Sequence, residues 1–140
     1  MREDLEATFD QLTKAHGFTK EADFSIRSFD EGRVVLEAPV TEKVQQFMGF
    51  VHAGVVAGIA DHAAGAAYTT VLPEGHACVT IELKINYLKP AIGERIIADA
   101  KVIAPGKSIG VVSVETSVEK EGASKLCSVA IVTLKATQLS

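Results

Sequence analysis

The chain has no surplus of basic residues. Lysine and arginine total 14 against 18 aspartates and glutamates, a net charge of −4 with a pI near 5.5. A nucleic-acid-binding domain carries a basic footprint, so that class is excluded, while a local basic pocket for an anionic ligand is not. Cysteine is scarce: Cys78 and Cys127 are the only two. Both lie in apolar, strand-like runs and neither belongs to a CxxC pair or a Cys/His cluster, so they read as buried, reduced thiols. Asp61 and His62 have His52 and His76 as company, but neither His-x3-His nor Glu-x-x-His spacing occurs. Adjacent helical residues diverge by about 100°, so no metal site is expected. The acidic start, Met1-Arg2-Glu3-Asp4, has no hydrophobic signal region. The longest apolar run is interrupted by Asp61 and His62 and is too glycine-rich to span a bilayer. The expectation is a soluble, cytoplasmic protein without membrane contact. No internal repeat, low-complexity tract or linker appears, so residues 1–140 read as one domain. At 47% hydrophobic residues it is apolar enough to bury surface between subunits as well.

What is present is organised around Gly49-Phe50-Val51-His52-Ala53-Gly54, which leads into a run of small apolar residues through Gly65 with Asp61 in its middle. Residues 53–71 read as one long helix, broken by Leu72-Pro73-Glu74-Gly75. Glycine costs about 1 kcal/mol against alanine inside a helix, so Gly54, Gly58 and Gly65 call for a reason. The simplest is a sheet that curls closely over the helix. Residues 3–15 place Leu5, Phe9, Leu12 and Ala15 at helical spacing, and Gly17 stops that helix. Strands are expected over 22–29 and 33–40 around Asp30-Glu31-Gly32, with Val34, Leu36 and Ala38 sharing a face. A connector follows over 41–51. Over 76–88, Val79, Ile81, Leu83, Ile85 and Tyr87 alternate with Thr80, Glu82, Lys84 and Asn86, the period of a strand. By that parity Thr80 lies off the helix-facing side. Three more strands, about 95–104, 109–119 and 124–136, are joined by hairpin-length turns and so run antiparallel. The sum is α+β: one buried helix under an antiparallel sheet, plus a short N-terminal helix.

Asp61 is the odd residue, because burying a carboxylate without partners is costly. It either marks a solvated or interface-facing stripe or serves as a base or nucleophile. The helix start offers the complementary group. First-turn N–H groups lack intrahelical partners, so the N–H of Ala53 or Gly54 can stabilise an oxyanion. His52 beside them either assists or caps the turn. Ala53 and Asp61 are eight residues apart, about 12 Å along a helix. That is too far to grip one carbonyl, so a shared site needs two chains, as in a two-fold dimer.

The run from Gly49 to Gly54, with Asp61 nine residues after His52, resembles the signature of hotdog-fold acyl-CoA thioesterases of the phenylacetate-pathway family. The stretch Val79 to Ala91 resembles that family's long third strand with its Pro-Ala ending, and the similarity runs from about residue 22 to 136. The resemblance implies a hotdog fold, with five to six strands wrapped around the central helix. It implies hydrolysis of an acyl-coenzyme A to free acid and CoA, with CoA as part of the substrate and no cofactor. Asp61 is then general base or nucleophile, the Ala53 N–H the oxyanion donor with Gly54 and His52 beside it. Gln46 falls where the family has Asn and would orient the water or the thioester. Thr80 falls where a Ser or Thr helps place that water, or is simply a strand former. Ala53 departs from the family's usual first Gly, and Gln46 is one methylene longer than Asn. For the CoA phosphates the candidates are Lys84, Lys89, Arg95 and Lys107, of which Lys89 and Lys107 are preferred. A homodimer is the minimal unit and a homotetramer, a dimer of dimers, the expected assembly. Phe47, Met48, Phe50 and Tyr68 are expected to line the acyl pocket at the subunit interface. A hotdog dehydratase or hydratase, and a non-catalytic acyl-CoA-binding or sensing module, remain the alternatives.

Overall fold

The computed structural model describes residues 3–139. Met1 and Arg2 of the acidic start, and Ser140, lie outside the described residues. Two N-terminal helices, α1 (Glu3–Ala15) and α2 (Gly17–Glu21), precede the hairpin β1 (Ser25–Asp30) and β2 (Arg33–Pro39). A 3₁₀ turn at Glu42–Val44 leads to α3 (Ala53–Thr70), followed by β3 (His76–Tyr87), β4 (Arg95–Pro105), β5 (Ile109–Lys120) and β6 (Ala123–Gln138). All six strands form one antiparallel sheet in the order β1-β2-β4-β5-β6-β3. β4, β5 and β6 make the expected meander, but β3 pairs with β6 at the sheet's edge rather than with β4. The segment after β3 allows this by crossing the end of the sheet. Leu88 N–H donates to Cys127 O (2.8 Å) and Glu94 N–H to Glu119 O (2.8 Å). Among the described residues no helix is long and apolar enough to cross a membrane.

The sheet curls over α3. Ile59, Ala60, Ala63, Ala64 and Ala67 of the helix have no exposed surface, and neither do Val34, Leu36 and Ala38 of β2, as their alternation predicts, or Ile96, Ala98, Val112 and Val132. Alanine buries little area itself. Its role is to bring the helix axis close enough for the branched strand residues to be covered, each contributing about 1.5–3 kcal/mol. The close approach expected at the helix glycines has a different source. A Cβ on Gly58 would come 2.5 Å from the Phe18 ring of α2, so a flanking helix, not the sheet, occupies that notch.

The N-terminal region departs from the sequence reading in three ways. Gly17, at φ +79°, does end α1, but α2 starts there and was not foreseen. The first strand begins at Ser25 rather than near 22, because Ala22 and Phe24 close the end of α2 through bonds to Phe18 O and Thr19 O. In α1, Leu12 points to solvent (67% exposed) and Thr13 is buried instead. The inward stripe is therefore Leu5, Phe9 and Thr13, set by a histidine. Thr13 Oγ1 lies 2.9 Å from His62 Nε2, and the Phe9 ring stacks on the imidazole at 4.7 Å. His62 thus docks α1 onto α3.

Burial holds His62 below its ordinary value of 6.5, against a smaller opposing pull from Asp61. A histidine depressed in the folded state is protonated first in the unfolded chain. Its contribution to stability is complete above about pH 6.5 and is lost as pH falls from there toward the lowered folded value. Urea denaturation at pH 7.5 and 5.5 should show lower stability at 5.5, and His62→Gln should remove part of that difference. An unchanged pH dependence in the variant would refute the assignment.

Candidate active site

The start of α3 is built by its own sequence. His52 is the N-cap, with extended backbone (φ −60°, ψ 136°), and its Nδ1 accepts the Gly54 N–H at 2.8 Å. A Cβ on Gly54 would lie 3.0 Å from that nitrogen, so glycine leaves room for the imidazole to fold back. The cap commits the Gly54 N–H. The Ala53 N–H has no partner among the described residues and is the donor left available at the helix start. Tyr87 Oη donates to Ala53 O at 3.0 Å, pinning the first turn to β3. This tyrosine was read only as part of an apolar alternation. The signal was that a tyrosine turned inward brings a hydroxyl that needs a partner.

Around this turn lies an apolar cavity of about 260 Å³, lined by Phe50, Val51, Ala53, Val56, Tyr87, Leu88, Lys89, Pro90, Ala91 and Cys127. Of the four residues expected to line an acyl pocket, only Phe50 is here. Phe47 and Met48 project from the turn before it, 97% and 67% exposed. Tyr68 is a correction: it is wholly buried, and its hydroxyl donates to Gly106 O at 2.5 Å. Two residues from the helix end, it faces the core rather than a subunit surface. Gln46 accepts the Met48 N–H through Oε1, and its backbone bonds to Phe50 and Gly49 tighten the same turn.

Asp61 lies in a second cavity, of about 250 Å³, between α3, β3 and α1, lined by Phe9, Asp61, His62, Gly65, Ala66, Thr69, Ala77, Cys78, Thr80 and Leu134. Thr80 Oγ1 donates to Asp61 Oδ1 at 2.6 Å, so Thr80 faces the helix, contrary to its parity in the sequence. The reason is a β-bulge. The β3–β6 register slips between Thr80, opposite Leu134, and Glu82, opposite Thr133, leaving Ile81 unmatched. Before the bulge Cys78 and Thr80 point inward and Val79 is 58% exposed. After it Leu83, Ile85 and Tyr87 point inward, and Ile81 is 56% exposed. Cys78, half-buried rather than buried, completes the wall. Burial pushes its thiol up, a hydrogen bond with Thr69 opposes this, and Asp61 adds a smaller upward push, a setting that disfavours the thiolate. Neither cysteine is in a disulfide, and Cys127 is buried as expected.

Asp61 and the Ala53 N–H therefore open into different cavities of one chain. The candidate phosphate ligands are also separated. Lys89 borders the cavity at the start of α3, whereas Lys107 follows Gly106, which is held by Tyr68 near the helix's far end. Arg95 is committed to Glu37 at 2.6 Å in a network with Arg27 and Glu119 on the outer face of the sheet, and Lys84 donates to Asn86 Oδ1. Arg95 is therefore ion-paired and not free for a ligand, whereas the partner of Lys84 is a neutral amide.

A family model described as the thioesterase superfamily matches residues 48–125, from the turn before α3 into β6. A 1,4-dihydroxy-2-naphthoyl-CoA hydrolase of Listeria monocytogenes is 30% identical over 105 residues, 75% of this chain and 85% of that protein. Acyl-coenzyme A thioesterase 13 of Homo sapiens is 27% identical over 124 residues, 87% of this chain and 88% of that one. The crystal structure of a thioesterase family protein from Silicibacter pomeroyi aligns with a TM-score of 0.88 at 30% identity, covering 95% of this chain and 98% of that one.

The cap has a measurable worth. His52→Ala should lower stability in chemical denaturation by about 1 kcal/mol, and His52→Asn, itself a capping residue, should recover most of it. Equal stability of all three proteins would show that the Gly54 N–H gains nothing from the imidazole.

Proposed function

Because this chain belongs to the thioesterase superfamily, we propose that it hydrolyses the thioester of an acyl-coenzyme A, releasing the free acid and CoA, in a homodimer whose sites each draw on two chains. The Ala53 N–H of one subunit binds the carbonyl oxygen and stabilises the charge that develops there. Asp61 of the other acts on the carbonyl carbon as general base or nucleophile. As base it takes a proton from water while the water oxygen bonds to carbon. The C–S bond then breaks, and the proton passes to the departing sulfur. As nucleophile its carboxylate oxygen bonds to the carbonyl carbon while the C–S bond breaks and CoA leaves as thiolate. Water then opens the acyl-aspartyl anhydride, releasing the acid, restoring the carboxylate and supplying the proton the thiolate takes up. In either case Thr80 fixes one carboxylate oxygen and leaves the other to react. Water is the only co-reactant, so the reaction calls for no cofactor.

The observation that carries this reading is the pairing of two incomplete half-sites. An unpartnered N–H stands at one cavity and a hydrogen-bonded carboxylate at another, about 12 Å apart along the helix. The edge strand β3 supports the dimer. It lies at the end of the sheet with β6 as its one partner, and a long unpaired edge invites a second strand. A two-fold axis there would bring Tyr87 and Thr80, and with them both ends of the site, toward the partner. Exposed Phe47 and Met48 would then close against the neighbouring subunit, Lys89 and Lys107 would serve CoA phosphates, and Gln46 would orient the thioester or water. Two such dimers make the expected tetramer.

Release of free thiol from acyl-CoAs tests the activity, and subunit mixing tests the two-chain site. Asp61→Asn removes the base. Ala53→Pro removes the donor N–H at the first helical position, which accepts proline, after a residue already in the extended conformation proline requires. Each variant should keep its fold and lose about 10²–10³-fold in kcat. Mixed dimers of the two should regain activity, since one of their sites carries both defects and the other neither. Absence of regain would refute the two-chain site. Tight acyl-CoA binding without thiol release in the unaltered protein would favour a sensing module.

A further inference from the structure

Gly58 and His62 stand four residues apart on one face of α3, and the N-terminal helices are seated on both. The Phe18 ring of α2 fills the notch at Gly58, where a Cβ would come 2.5 Å from it. On His62 the Phe9 ring of α1 stacks at 4.7 Å, and Thr13 Oγ1 lies 2.9 Å from Nε2. Thr19 Oγ1 donates to Thr13 O at 2.7 Å, tying α2 to α1. Phe24, just before β1, adds a second ring, its centroid 6.1 Å from the imidazole. His62 is thus enclosed by two aromatic rings and a hydroxyl, and it is the residue next to Asp61. Phe9, Asp61 and His62 line one cavity, and across it β3 presents the neutral Cys78 and Thr80. Among the described groups around the imidazole, Asp61 is the charged one. The acids of α1 are engaged elsewhere: Asp10 pairs with Lys14 at 2.9 Å, and with Glu6 it borders a separate pocket beside Ile26.

We propose that the docked α1 is a positioning element of the reaction: with Phe9 and Thr13 over the imidazole, it keeps a positive charge away from Asp61. The assignment rests on the thioesterase reading and on Asp61 as its reacting carboxylate. A cation beside that carboxylate would hold its negative charge and slow its attack, as base or as nucleophile. Taking the imidazole out of water disfavours the cation. Burial is the larger influence on His62 and lowers it from its ordinary value of 6.5, while Asp61 pulls the other way. The two groups are therefore coupled, and α1 sets the balance between them. With α1 seated, His62 stays neutral into mildly acidic solution and Asp61 works unopposed there. With α1 lifted, the ring meets water and takes up a proton as pH falls through about 6.5. His62 does not touch the reacting carbonyl and acts through Asp61 alone.

Two measurements on the full-length protein test this. The first is an NMR titration of the histidine rings, with His62 assigned by the signal lost in His62→Gln. Its midpoint should fall below 6.5. It should move lower in Asp61→Asn, which removes the charge that favours the protonated ring, and higher in Phe9→Ala/Thr13→Ala, which uncovers it. The second is the pH profile of kcat/KM for thiol release from acetyl-CoA and octanoyl-CoA. Phe9→Ala/Thr13→Ala should gain an acid limb near about pH 6.5, falling by roughly 3- to 10-fold, that the unaltered protein lacks. Adding His62→Gln should abolish the limb, which a merely structural role for His62 would not do. Should Phe9→Ala/Thr13→Ala fail to fold, the titrations of the unaltered protein and of Asp61→Asn still decide. A midpoint at or above 6.5 in the unaltered protein, a midpoint indifferent to Asp61→Asn, or a limb that survives His62→Gln would overturn the assignment. If no acyl-CoA released thiol, the thioesterase reading would fall, and the titrations would still show whether α1 governs the charge of His62.

Discussion

The distance between α3 and the sheet governs the rest of this structure. Alanines at 60, 63, 64 and 67 hold the helix so near the strands that β2, β4, β5, β6 and β3 must curl to stay in contact with it. A curled sheet of six strands still leaves one flank of the helix open. α1 and α2 fill part of that flank, with Phe9 against His62 and Phe18 over Gly58. Asp61 lies at the seam where this N-terminal cover meets the edge strand β3. The carboxylate lies between core and surface, with one oxygen held by Thr80.

The same helix is long, and its length divides the chemistry. Its N-terminus presents a backbone N–H, and its middle presents a carboxylate. Neither is useful alone for acyl transfer, which needs charge stabilisation on one side of a carbonyl and attack from the other. In the proposed reaction the two halves serve one carbonyl, and the free edge of β3 is where two copies would combine them.

Much of this was legible in the sequence because it depends on periodicity. The long helix, the apolar face of β2 and the meander of β4 to β6 followed from spacing, and the isolated acid in a small-residue helix drew attention to Asp61. The failures came where contacts distant in sequence decide. Leu12 fits a helical stripe, yet Thr13 is buried because His62, forty-nine residues away, offers it a hydrogen bond. Tyr68 has the size and chemistry of a pocket residue, yet Gly106 takes its hydroxyl into the core. Arg95 is as basic as Lys89, but Glu37 already occupies it. The direction of Thr80 was misread because alternation assumes an unbroken ladder, and nothing in the sequence around Ile81 announces the extra residue.

That extra residue makes the position of Thr80 a matter of counting. In a regular strand Thr80 and Leu83 would lie on opposite faces, but here both point at α3, with Ile81 taking up the odd place between them. A chain lacking Ile81 would have an uninterrupted ladder and a more regular sheet. It would also have to turn one half of the strand inside out, losing either the hydroxyl that holds Asp61 or the tyrosine that holds the helix start. The imperfection in the sheet lets one strand serve both the start and the middle of α3. For an evolving chain, β3 would therefore tolerate exchanges of residue type far more readily than a change of length by one.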